Sequence, residues 1–80
     1  MWNEGTIGIP VVDGPTSIIH FWVKNVDAPS EEYGLEGGRI IKLSMKLNGD
    51  WIANYDRGWD IDPESDVAGT ALQVLMTGYN

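Results

Sequence analysis

Few residues in this chain have the chemistry for catalysis or ligand capture. His20 is the sole histidine and cysteine is absent, so a nucleophile–base pair would have to join His20 to Ser17 or Ser44. On an extended strand Ser17 lies on the side opposite His20, which leaves Ser44 as the one partner within reach. A histidine resting on a half-exposed sheet face accounts for His20 more simply.

The carboxylates fare no better as a site. Asp60-Ile61-Asp62-Pro63-Glu64 starts like an EF-hand calcium loop, but Pro63 stiffens it and Ser65 occupies the place of the turn glycine. Ala71 stands where the bidentate Glu is needed. A helix N-terminus carrying carboxylates explains the run. Asp56 with Asp60 could form an acid and base pair for glycoside chemistry, yet only tryptophans hint at a sugar. Gly34-Leu35-Glu36-Gly37-Gly38 precedes a strand and lacks the Lys-Ser/Thr of a phosphate loop. The sequence therefore assigns no catalytic residue, no metal ligand set and no cofactor, and a non-enzymatic role is expected.

Composition narrows the field further. Eighty residues form one domain, 1–80, and 5 Lys+Arg against 12 Asp+Glu leave a formal charge of −7. That balance works against non-specific duplex DNA binding and against docking on an anionic membrane through net charge. No run approaches a membrane-spanning length, and Met1-Trp2-Asn3-Glu4 does not resemble a secretory leader. A cytoplasmic location without membrane association is the expectation.

The elements that must position these residues are mostly strands. Ile7, Ile9 and Val11 alternate with Gly8, Pro10 and Val12, predicting a strand over 5–12, with Pro10 marking it as an edge. Asp13-Gly14-Pro15 signals a turn, and strands follow over 17–26, 39–47 and 50–57. Asn48-Gly49 reads as a two-residue hairpin turn, and 27–38 as a long loop. The period then changes. Ala68, Ala71, Leu72, Leu75, Met76 and Tyr79 form a helical stripe, predicting a helix over 63–78 capped by Asp62 with Pro63 in its first position. The fold class is α+β: a four-stranded antiparallel β-meander with one C-terminal α-helix packed on one face.

Regular hairpin parity predicts which residues share a face. A three-residue first loop pairs Val11 with Ser17, Ile9 with Ile19 and Ile7 with Phe21. The second hairpin pairs Met45 with Ile52 and Leu43 with Asn54. The core is then Ile7, Ile9, Val11, Ile19, Phe21, Val23, Ile41, Leu43, Met45, Leu47 and Ile52. The opposite face collects Ile18, His20, Trp22, Lys24, Ile40, Lys42, Ser44, Lys46, Trp51, Tyr55 and Arg57. Four of the five basic residues of an acidic chain land there. Lys46 is expected over Trp51 and Lys42 over Tyr55.

Asn54-Tyr55-Asp56-Arg57-Gly58-Trp59-Asp60 is the densest polar and aromatic run. Gly58 would permit a bend, and Trp59 would seal the start of the helix. With Gly38-Arg39-Ile40 before it, and Ile61, Pro63 and a helix closing on Tyr79-Asn80 after it, this run resembles a family of short uncharacterised bacterial proteins. The resemblance spans nearly the whole chain. Members are often met near mobile elements or prophages, and the family has no assigned activity. The resemblance implies a small stand-alone bacterial protein and transfers no catalytic residue.

The face carrying Trp22, Lys42, Lys46, Trp51, Tyr55 and Arg57 is the candidate binding surface. Trp, Tyr and Arg are the types enriched in interface hot spots, so a protein-interaction or self-association module ranks first. A homodimer packed sheet to sheet is its simplest form. A solvated face without a role ranks next. A single-stranded nucleic-acid platform follows, then an acidic shell that mimics nucleic acid, with an enzyme last.

Overall fold

The computed structural model describes residues 1–80. Five strands, β1 (Trp2–Ile9), β2 (Ser17–Asn25), β3 (Ile40–Leu47), β4 (Asp50–Asp56) and β5 (Trp59–Ile61), form one antiparallel sheet in sequential order. The helix α1 (Asp66–Tyr79) closes one face. The architecture is the expected α+β meander with one helix, but with five strands in place of four. The fifth spans three residues, too short for alternation to declare itself in the sequence.

The first hairpin keeps its predicted parity and changes its register. Ile9 pairs with Ser17, Ile7 with Ile19 and Gly5 with Phe21, two residues away from expectation. A register moved by two leaves every side chain on its own face, so Ile9, Ile19 and Phe21 are buried as predicted. The cost falls on Val11. The strand ends at Ile9, Pro10 lies outside it, and Val11 is an exposed loop residue.

Two β-bulges change the predicted faces. Between β2 and β3 the pairing passes from Lys24–Lys42 to Asn25–Ile40, so Ile41 is the extra residue and Ile40, not Ile41, is fully buried. Between β3 and β4 it passes from Lys46–Trp51 to Met45–Ala53, making Ile52 the extra residue. Regular pairing would have turned Asn54 into the core and stranded its amide, at a cost of about 1–3 kcal/mol. The bulge instead brings Asn54 Oδ1 to the Ser44 hydroxyl, which donates at 3.1 Å. Ala53 and Tyr55 enter the core, and the Tyr55 hydroxyl donates to the Tyr33 carbonyl at 3.1 Å.

The hairpin turn is as read. Asn48 and Gly49 have φ of 52° and 85°, the left-handed pair that matches strand twist, and glycine adopts it without a Cβ clash. The helix starts later than predicted. Ser65, not Asp62, is its cap, accepting the Ala68 amide at 3.1 Å, and Pro63 lies ahead of the first turn. Ala68, Ala71 and Leu75 are buried against the sheet, with Val67, Leu72, Met76 and Tyr79 half-buried around them.

The segment between β2 and β3 is an ordered cover. It contains a single 3-10 turn, Leu35–Gly37, and buries Leu35. Asn80 fastens it: its Oδ1 accepts the Ile40 amide at 2.9 Å and its Nδ2 donates to the Leu35 carbonyl at 3.1 Å. A Cβ on Gly38 would collide with the Asn80 amide, so this seam needs glycine for close approach.

Candidate functional site

The sheet face opposite α1 is uncovered, and its side chains form ordered rungs. Antiparallel pairing sets residues directly opposite one another about 4.5–5.5 Å apart. One rung runs Trp2, Lys24, Lys42, Asp56. The next runs Glu4, Trp22, Ser44, Asn54, Ile61. A third runs Thr6, His20, Lys46, Trp51.

Neighbouring rungs are tied by aromatic contacts. His20 stacks on Trp22 with ring centres 4.1 Å apart, and Trp22 meets Trp51 at 5.4 Å with the planes tilted by 50°. The Lys46 ammonium sits 4.8 Å from the Trp51 ring centre, and Lys24 lies 5.8 Å from that of Trp2. Both lie within range of cation–π attraction, and the lysine stems cover the ring faces. Trp2, Ile18, Trp51 and Ile61 nonetheless remain 56%, 58%, 50% and 40% exposed. Four large apolar side chains on one side of so small a domain make an unusual surface.

Charge is divided between this face and the rest of the molecule. Lys24, Lys42 and Lys46 face only two carboxylates, Glu4 and Asp56. Glu4 is held by His20 at 2.8 Å, and Asp56 lies 3.9 Å from Lys42. No other carboxylate of the chain pairs into these rungs. The open face is therefore mildly positive on an acidic protein.

Of the six residues predicted to form the site, Trp22, Lys42, Lys46 and Trp51 share this face. Tyr55 does not. The β4 bulge turns it into the core, 8% exposed, where Trp59 meets it edge-on at 5.0 Å. Lys42 consequently pairs with Asp56 instead of covering Tyr55. Arg57 is also displaced, into the turn between β4 and β5 at a φ of 57°. Its amide donates to the Ile41 carbonyl at 3.0 Å, while its guanidinium lies beside Asp56 and 5.8 Å from the Tyr33 ring centre. Trp59 packs, half-buried, against the core.

Sequence reasoning missed Trp2, Glu4, Asn54 and Ile61. Trp2, Glu4 and Thr6 do alternate with Asn3 and Gly5, a signal that would have carried β1 back to its true start. Nothing in the local pattern announces the β4 bulge or the short β5.

Other chemistry is sparse. Ser44 is hydrogen-bonded to Asn54 and His20 to Glu4, so the two do not form a pair. No three or more His, Asp or Glu side chains converge as metal ligands would. The hollow on the open face, about 140 Å³ between Ser44, Trp51, Asn54 and Ile61, is smaller than the roughly 300–1,000 Å³ of a small-molecule pocket. No helix is long and apolar enough to cross a membrane.

A family model described as "Domain of unknown function (DUF7678)" matches residues 1–80, and the chain belongs to that family. No curated protein and no solved structure shows significant similarity to it.

Proposed function

We propose that the protein is a non-enzymatic interaction module whose open sheet face docks an acidic, aromatic- or leucine-bearing segment of another protein. One observation carries this reading: three tryptophans and three lysines interleave on one uncovered face, whose rungs include only two of the chain's twelve carboxylates, Glu4 and Asp56. Tryptophans supply large, rigid contact areas. The lysines above two of the rings select for negative charge and repel basic competitors. The acidic remainder of the surface keeps nucleic-acid backbones at a distance. A bacterial setting near mobile elements, implied by the family resemblance, belongs to the same proposal and indicates where partners would be sought.

A second reading has its own observation. Trp22 and Trp51 lie 5.4 Å apart beside Lys46, an arrangement on which unpaired bases could stack while lysines follow phosphates. The net charge of −7 weighs against it.

Selection from a displayed random-peptide library tests the two together. Acidic peptides with apolar side chains should emerge and lose at least about tenfold in affinity against Trp51→Ala or Lys46→Ala, as hot-spot truncations do. Peptides that bind both variants as well as the wild type would overturn the docking face. A salt-sensitive quench of tryptophan fluorescence by oligo-dT, abolished by Trp51→Ala, would replace it with the second reading.

A further inference from the structure

The two edges of the sheet are built differently. At one edge β5 is three residues long and is followed by Asp62, Pro63 and Glu64. Brevity, charge and proline are the devices that prevent unwanted strand pairing. At the other edge β1 is eight residues long, with no proline and no lysine within it. Its single charge, Glu4, is already engaged by His20 at 2.8 Å.

The hydrogen-bonding phase of β1 follows from Met1, the residue just before it. Met1 and Asn25 exchange both backbone bonds, at 2.7 Å and 3.0 Å. Antiparallel alternation then directs Asn3, Gly5, Ile7 and Ile9 toward β2 and leaves the N–H and C=O groups of Trp2, Glu4, Thr6 and Gly8 pointing outward. All four of these residues are exposed.

We propose that this edge pairs with the same edge of a second copy, antiparallel about a two-fold axis at Gly5. In that register Trp2 faces Gly8 of the other copy and Glu4 faces its Thr6, giving about eight backbone hydrogen bonds. The neighbouring registers are worse. Centring on Glu4 opposes two carboxylates directly. Centring on Thr6 places Trp2 against Pro10, which has no N–H to give.

Side chains fit the same register. Trp2 is 56% exposed and would lie over Gly8, which offers no Cβ, and reach Ile18 beside it, itself 58% exposed. Gly5 leaves the axis unobstructed. Directly opposed residues of an antiparallel pair project to the same side, so the two sheets join into one of ten strands with both helices on one side. Both open faces then look the same way. The inference does not depend on what those faces bind, and if the docking reading holds, the dimer presents that surface twice.

Sedimentation equilibrium of the full chain over a wide concentration range tests the pairing. The wild type should form a reversible dimer that tolerates salt. Thr6→Pro removes an outward N–H that the monomer does not use, and should return the mass to that of a monomer while the far-ultraviolet circular dichroism stays unchanged. N-methylation of the Thr6 amide by chemical synthesis makes the same test should the proline variant fail to fold. Trp2→Ala should weaken the dimer about tenfold or more, whereas Trp51→Ala, on the same face but on β4, three strands from this edge, should leave it intact. In a mixed-label sample, nuclear Overhauser contacts between the Trp2 ring and the Ile18 methyls should arise only between copies. A wild type that stays monomeric at millimolar concentration, or a dimer that survives Thr6 blockade, overturns the proposal. A dimer broken by Trp51→Ala but not by Thr6→Pro assigns association to the open face instead.

Discussion

The two faces of this sheet are made by the same strands and solve opposite problems. On the α1 side, Leu43, Met45, Val23 and Ile19 are fully buried, and no buried side-chain polar atom lacks a partner. On the other side Trp51 and Trp2 are about half exposed beneath lysines, and the polar groups pair laterally along rungs. Stability is thus concentrated on one face, where removal from water is complete, and the other face is left free to vary without unfolding the domain. A small domain has little core to spare, and the tryptophans placed on the open face instead of in it are what the docking proposal rests on.

The largest expected effect tests the buried face. Leu43→Ala should cost about 2–5 kcal/mol, from lost transfer energy and the cavity left behind. Against a total stability of about 5–15 kcal/mol, urea unfolding should show either a much lower midpoint or a largely unfolded chain. A loss no larger than that from Trp51→Ala would erase the distinction between the faces.

A smaller effect sharpens the assignment at the bulge. Tyr55→Phe removes the hydroxyl that donates to the Tyr33 carbonyl and keeps the ring in place. The expected loss is about 0.5–1.5 kcal/mol in urea unfolding. An unchanged midpoint would mean that the hydroxyl faces water, as it would on the open side.

The smallest effect belongs to the open face itself. Lys46→Ala should change stability by no more than about 0.5–1 kcal/mol, the scale of an exposed cation–π contact. It should still alter tryptophan emission, because Trp51 loses the side chain that covers its ring. A loss of several kcal/mol would mark Lys46 as part of the fold and not of a surface.

Much of this division was legible in the sequence. Alternation in β2 and β3 placed Trp22, Lys42 and Lys46 opposite Phe21, Leu43 and Met45, and Asn48-Gly49 marked its own turn. The helix stripe of Ala68, Ala71 and Leu75 was equally plain. Tyr55 and Arg57 were misplaced for one reason: parity was counted through a strand that contains an extra residue. Trp51-Ile52-Ala53-Asn54-Tyr55 has apolar residues at both parities, so hydrophobic pattern alone does not choose between its two faces.

The sequence by itself determined the class of the fold, its first four strands, the terminal helix and the basic, aromatic character of one face; that these strands lie side by side in chain order was settled by the structure. The former rest on local periods and turn chemistry, which each segment carries within itself. Only the tertiary structure decided where the pairing slips. The bulge at Ile52 is favoured because Asn54 then meets Ser44 and Tyr55 reaches the Tyr33 carbonyl, and the seam at Gly38 closes because Asn80 bonds Ile40 and Leu35. Those partners lie 10, 22, 40 and 45 residues apart. A polar group's choice of face depends on whether a partner waits there, and that is settled only once distant segments have been brought together.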